Sequence, residues 1–156
     1  MVKIIPLSNG AKIVQHSDYF FTGPNSLDAL MKYKELGIKD VVSVYAKDGV
    51  FSGITPANQE FCKHNKINVV FSPLWDKIDF FAQREHPGLL ARQLAKDAIK
   101  IARKNRKVAV ICTAGGFFGL DVAKYYFEIE RAAARNRRYR PATKRVLQRV
   151  KARKKK

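Results

Sequence analysis

A chain of 156 residues, of which 46% are apolar and 28% charged, is long enough for one domain with a hydrophobic core. This composition excludes a disordered chain, and a count of two cysteines excludes a disulfide-based miniprotein. The 31 Lys and Arg residues exceed the 13 Asp and Glu residues by 18, which indicates a polyanionic partner such as a nucleic acid or an acidic membrane surface. Without a secretory leader or an apolar run of roughly 18 residues, we predict a cytoplasmic protein that does not insert into membranes.

The first half of the chain predicts a strand, a helix and a second strand. Residues 19–22 form a short extended segment that ends at the turn pair Gly23-Pro24. Ser26 is a favoured helix N-cap and Gly37 is a favoured residue just beyond a helix end, so we predict a helix between them. The β-branched and aromatic residues 40–45 predict a buried strand. The apolar positions of the helix are Leu27, Leu30, Met31 and Tyr33.

The second half repeats this alternation. Thr55-Pro56 predicts a helix start, and residues 66–71 predict the next strand. Residues 87–105 keep apolar side chains at helical spacing, and residues 107–112 form the most apolar predicted strand, before a small-residue loop and a final helix. Alternating strands and helices predict an α/β fold with a mostly parallel sheet flanked by helices.

The positive charge is concentrated at the C-terminal end. Residues 131–156 contain 13 bases and no acid, whereas residues 1–130 contain 18 bases and 13 acids. We predict an α/β domain over residues 1–130 and a basic extension, helical or extended, over residues 131–156; a solvated tail or localisation signal is the alternative. The residues predicted to bind nucleic acid are Arg131, Arg135, Arg137, Arg138, Tyr139, Arg140, Lys144, Arg145, Arg149, Lys151, Arg153 and Lys154.

A cysteine stands at the end of the most apolar strand. Cys112 is followed by a loop of small residues and then by the final predicted helix. A strand, a glycine-containing loop and a helix start direct successive backbone N–H groups at one point, which suits an anion and lowers a thiol pKa. An ordinary turn that lets helix and strand approach closely is the alternative. The predicted anion-loop residues are Thr113, Ala114, Gly115, Gly116, Phe117 and Phe118.

Several segments together resemble a known family. Residues 110–115, Val-Ile-Cys-Thr-Ala-Gly, are in register with a Val-His-Cys-x-x-Gly motif. Residues 19–24 and 27–44 are similar to that family's opening strand, first helix and Leu-Gly-Ile-x-x-Val-Val strand. Residues 69–76 are similar to the strand that leads into its general-acid loop. In this order, residues 19–130 resemble the dual-specificity branch of the cysteine-dependent protein tyrosine phosphatases.

The resemblance implies a thiolate nucleophile at Cys112 and a general acid at Asp76 or Asp79, with a surface loop carboxylate as the alternative for either residue, but the family signature is broken. The signature is His-Cys-x5-Arg followed by Ser or Thr. Ile111 replaces the His, Phe118 replaces the phosphate-binding Arg, and Gly119 replaces the hydroxyl residue. Loss of one transition-state clamp typically costs about 2–4 kcal/mol. We therefore predict a pseudophosphatase in which Cys112 and Asp76 are vestigial.

Neither a metal nor another cofactor is predicted. The three histidines have no Cys or carboxylate at metal-ligand spacing, and we predict His16, His64 and His86 as surface or helix-edge residues. Cys62 is predicted to be buried and inert. The alternative is that it meets Cys112, as second cysteines do in some phosphatase relatives.

These observations predict a catalytically inactive phosphatase-fold protein that binds RNA as a component of a ribonucleoprotein particle. The ribosome is the first candidate, with ribosomal RNA and ribosomal proteins as partners and the basic extension neutralising phosphates. The basic run within residues 100–107 fits either a solvated helix end or a nucleic-acid contact. Two alternatives stay open: an unconventional cysteine-dependent phosphatase acting on a phosphoprotein or an RNA 5′ phosphate, and a pseudophosphatase that binds a phosphoprotein. A rhodanese-like sulfurtransferase ranks last, because the cationic loop donors are missing.

Overall fold

The described part of the chain contains six strands and four helices. The structure is a computed structural model and describes residues 1–43, 54–71, 87–112 and 121–137. A first compact unit comprises Met1–Tyr126, and a second unit begins at Phe127. The predicted boundary at residue 130 stays a prediction.

The strands form one mixed sheet in the order β1-β2-β3-β6-β4-β5. β1, β2 and β3 pair antiparallel, whereas β3, β6, β4 and β5 pair parallel. The predicted α/β class with a mostly parallel sheet is therefore confirmed. The strands are β1 (Lys3–Pro6), β2 (Lys12–Gln15), β3 (Phe20–Pro24), β4 (Asp40–Ser43), β5 (Asn68–Phe71) and β6 (Val108–Cys112).

Two helices begin at the residues that the sequence indicates. The side chain of Ser26 accepts a hydrogen bond from the backbone N–H of Ala29, and that of Thr55 accepts one from Asn58. Among the described residues, no helix is long and apolar enough to cross a bilayer. The helices are α1 (Leu27–Glu35), α2 (Pro56–His64), α3 (Pro87–Ala102) and α4 (residues 121–137).

Both faces of the central strands β3, β4 and β6 are buried. Along each strand the side chains alternate between the faces, as a period of two requires. One face, with Phe21, Val41 and Ile111, packs in a cluster with residues of α1 and α2. On the other face, which α3 contacts, the ring of Phe20 stacks on that of Tyr126 with centroids 4.1 Å apart. Burial on both faces explains why the parallel strands have continuous apolar sequences.

The predicted turn at Gly23-Pro24 is wrong, because both residues belong to β3. Gly23 lies under the hydroxyl of Tyr33, which donates a hydrogen bond to the carbonyl oxygen of Pro24 at 3.1 Å. A Cβ at position 23 would overlap this hydroxyl and lie 3.3 Å from the Cα of Ile13. Gly23 is therefore a residue within a strand, where the missing side chain lets α1 approach closely. It does not mark a turn.

Candidate functional site

Cys112 is the last residue of the central strand β6. It lies in register with Pro24 of β3, and its neighbour Ile111 lies in register with Ser43 of β4. The chain crosses from β3 to β4 and then to β5 before β6 returns between β3 and β4. Such a reversal in strand order marks the place where open α/β sheets bind ligands, beyond the carboxyl ends of the strands. The backbone therefore puts Cys112 at a favoured position for a site.

α1 and α2 both begin near this end of the sheet. α1 begins after Pro24, and Nδ2 of Asn58 in the first turn of α2 donates to the carbonyl oxygen of Asn25 at 3.1 Å. This bond ties the start of α2 to the loop after β3. The anion loop and Asp76, together with the side chain of Cys112, lie outside the described residues. The roles assigned to them stay predictions.

The prediction that Cys62 is buried is confirmed. Its side chain is fully buried on α2 within the core cluster that includes Val41 and Ile111. Burial raises the pKa of the Cys62 thiol to about 11. Since the thiolate is the reactive form, Cys62 stays protonated and unreactive at neutral pH.

The prediction that His16 lies at the surface is wrong, whereas His64 is exposed as predicted. His16 is only 8% exposed, and its Nε2 lies 2.8 Å from Oγ1 of Thr22 in a hydrogen bond. Its ring also stacks on that of Phe20. Desolvation by burial lowers the pKa of His16 from 6.5 to about 4. The imidazole is therefore neutral in the folded protein at physiological pH. His86 lies outside the described residues.

Folding should weaken as the pH falls, because His16 binds a proton more readily in the unfolded chain than in the folded one. With a folded pKa of about 4 against 6.5, the contribution of His16 is fully present above pH 6.5 and is lost as the pH falls towards 4. We expect the free energy of unfolding to fall by about 1–2 kcal/mol between pH 7.5 and 5. Urea titrations of wild type, His16→Gln and His64→Gln measure this loss. Only His16→Gln should flatten the profile, and an unchanged profile would contradict the assignment.

Three of the predicted nucleic-acid contacts lie within the described residues. Arg131, Arg135 and Arg137 are exposed on α4, in the second unit. From Arg131 onward the described part of this helix carries bases and no acid, so its exposed charge is entirely positive. The other nine predicted contacts lie outside the described residues, namely Arg138, Tyr139, Arg140, Lys144, Arg145, Arg149, Lys151, Arg153 and Lys154.

A second group of basic residues, which the sequence does not bring together, lies at the amino ends of the parallel strands. The first residues of β6, β4 and β5 are in register, with Val108 opposite Asp40 and Asp40 opposite Asn68. The basic run before β6 is therefore adjacent to Lys39 before β4, and Lys39 is in turn adjacent to the loop that carries Lys66 before β5. In the sequence these residues are far apart, and only the strand order joins them.

Within the described ranges, no group of three or more His, Cys, Asp or Glu side chains could hold a metal ion. Comparisons of the chain with protein-family models, with curated proteins and with solved structures found no match.

Proposed function

We propose that the protein is a catalytically inactive phosphatase-fold protein that binds RNA as a component of a cytoplasmic ribonucleoprotein particle, with the ribosome as the first candidate. The observation that carries the proposal is the exposed, acid-free positive charge that begins at Arg131 on α4 and continues in the sequence to Lys156. Charge of this kind neutralises phosphates and gives salt-dependent affinity that needs no base recognition.

The proposed inactivity rests on the residues around Cys112. The strand that ends in Cys112 lies between two parallel strands and is followed in the chain by a helix, which is an arrangement suited to a phosphate-binding loop. Phe118, however, stands six residues after Cys112, where the resembled family has its Arg. A phenyl ring offers no hydrogen bond to a phosphoryl oxygen, so the transition state of phosphoryl transfer lacks its main clamp.

The proposal predicts that the wild-type protein co-sediments with ribosomal subunits in a sucrose gradient of a native extract at low and at moderate salt. Ribonuclease treatment should move it to the top of the gradient, because the RNA provides the binding site. The variant R131Q/R135Q/R137Q should dissociate at a lower salt concentration, since each lost phosphate contact removes the affinity gained from counterion release. Its logarithmic salt slope should also be smaller by about 0.7–0.9 per lost contact. A matched control, K3Q/K12Q/K96Q, removes three exposed bases from β1, β2 and α3 and so lowers the net charge equally.

Two outcomes would contradict the proposal. Wild-type protein that stays at the top of the gradient at low salt would exclude the ribonucleoprotein assignment. Hydrolysis of an aryl phosphate that Cys112→Ser abolishes would exclude the assignment as an inactive protein.

A further inference from the structure

Positive charge on the α/β body is concentrated in the described loops that lead into three of the parallel strands. The described loops that lead into β4, β5 and β6 are residues 36–39, 65–67 and 103–107, and they carry six bases and no acid. The segments that follow the same three strands in the sequence, residues 44–53, 72–86 and 113–120, carry three bases and four acids. The net charges are thus +6 and −1. Neither folding nor solubility requires charge to be distributed so unevenly.

Hydrogen bonds tie the three basic loops into one surface. Nζ of Lys107 donates to the carbonyl oxygen of Leu36 at 2.9 Å, and Nζ of Lys34 donates to Oδ1 of Asn65 at 2.7 Å. The backbone N–H of Asn68 donates to the carbonyl oxygen of Lys39 at 2.8 Å. Neighbouring strands lie about 4.8 Å apart, so the starts of β6, β4 and β5 span roughly 10 Å. The bases of these loops are therefore held close together by the fold.

Two acids lie near this surface, the exposed Asp18 beside Tyr19 and the buried Asp40, and neither makes an ion pair with Lys39, Lys66 or Lys104. Asp40, at the start of β4, has a side chain only 3% exposed, and its carboxylate is paired with the guanidinium of Arg106 at 2.8 Å. Lys39, Lys66 and Lys104 are exposed and make no ion pair with a carboxylate of the described residues. Helix macrodipoles favour bases only within the last turn of a helix, and these three lysines lie beyond the helix ends. Three exposed ammonium groups are thus available to an external anion.

Lys66 occupies a backbone conformation that favours glycine. Its φ is +55°, whereas the corresponding residue after α1 is Gly37 with φ +75°. A left-handed conformation is more strained for a residue with a Cβ than for glycine. The chain therefore has a charged side chain at a position where glycine would be less strained.

An exposed aromatic residue lies beside these bases. Tyr19 precedes β3 and is 40% exposed, and its carbonyl oxygen accepts a hydrogen bond from the N–H of Val108 at 2.8 Å. It is therefore next to the basic loop before β6. Bases beside an exposed aromatic ring are typical of surfaces that bind single-stranded nucleic acid, because the ring stacks on an unpaired base while the cations follow the backbone.

We infer that the amino ends of the parallel strands form a second RNA-binding surface, which holds the phosphate backbone of a single-stranded segment and stacks one base on Tyr19. This inference rests on the proposed function for the identity of the partner, and on the described α/β body for the location. We call this the amino-end surface, and its residues are Tyr19, Lys39, Lys66, Lys104, Arg106 and Lys107.

The test is fluorescence anisotropy of the full chain with a labelled, unstructured RNA of about 20 nucleotides, from about 50 to 200 mM salt. The variant K39Q/K66G/K104Q should bind about tenfold more weakly at the middle of this range, with a logarithmic salt slope smaller by about 2. The control K3Q/K12Q/K96Q carries the same net charge and should lose much less affinity. Tyr19→Ser should weaken binding about fivefold or more without changing the salt slope.

Folding and function are separable in this experiment. Since Gly is less strained than Lys at position 66, the loss of binding by the amino-end variant should occur with no loss of stability in urea. If the amino-end variant and the control lose affinity equally, the inference fails while the proposed function stands. If the wild-type chain does not bind the RNA at all, the proposed function and the inference fail together.

Discussion

Phe20→Ala should lower the free energy of unfolding by about 3–5 kcal/mol. The Phe20 side chain is fully buried, its ring lies 4.1 Å from that of Tyr126 with an interplanar angle of 3°, and His16 stacks on it at 5.1 Å. Truncation removes these contacts and leaves a cavity between β3 and Tyr126. Because a domain of this size is typically stable by about 5–15 kcal/mol, this loss is large enough to leave part of the population unfolded. Urea denaturation followed by circular dichroism measures it.

Two control variants distinguish the stability contributed by aromatic stacking from that contributed by side-chain volume and from the effect of losing an exposed side chain. Phe20→Leu keeps most of the volume and should lose less than half as much stability as Phe20→Ala. Leu89→Ala removes a side chain that is 58% exposed on α3 and should change stability by no more than about 0.5 kcal/mol. A loss for Phe20→Ala as small as that for Leu89→Ala would show that the contact between Phe20 and Tyr126 contributes little to stability.

Gly23→Ala should lower the free energy of unfolding by about 1–3 kcal/mol, because the added methyl group overpacks the contact between β3 and α1. The methyl carbon would overlap the hydroxyl of Tyr33 and lie 3.2 Å from Cγ1 of Ile13. The hydroxyl is itself fixed by its hydrogen bond to the carbonyl oxygen of Pro24. Neither neighbour can move freely, so the strain must be shared between helix and strand. Thermal and urea denaturation of the single variants and the double variant measure the effect.

The group that obstructs the added methyl is the hydroxyl of Tyr33, so a variant without this hydroxyl is the control. Tyr33→Phe removes the hydroxyl, so Gly23→Ala should be less harmful in that background than in the wild type, with a positive coupling between the two sites. Gly37→Ala is the matched comparison, because Gly37 has φ +75° and open space where a Cβ would lie. The stability lost by Gly37→Ala comes from backbone strain alone, so it should be the same in the Tyr33→Phe background as in the wild type. Additive losses at positions 23 and 33 would mean that the close approach is not the reason for the glycine.

Local signals in the sequence were sufficient for most of the parallel sheet. The N-caps Ser26 and Thr55 and the glycine after α1 are used as predicted. The predicted strands over residues 40–45 and 107–112 contain β4 and β6. These features depend on neighbouring residues, which is why propensity and periodicity find them.

The sequence did not indicate the hairpin of β1 and β2. These strands have four residues each, and most of their side chains are exposed or half-buried, so they show no strong alternation. A short hairpin gains its stability from pairing with a larger sheet, here through β3. The apolar periodicity also predicted more buried helix positions than the structure has. Leu27, Met31 and Leu89 follow the helical spacing but are exposed.

The sequence by itself determined the alternation of strands and helices, the acid-free basic C-terminal run and the position of Phe118 six residues after Cys112, because these follow from residue order alone. Only the tertiary structure decided that His16 is buried, that Gly23 lies under Tyr33, and that Lys39, Lys66 and Lys104 lie at one end of the sheet. These juxtapositions depend on the order in which strands join the sheet. Strand order is set by contacts between residues far apart in the chain, and no local pattern of side chains encodes it.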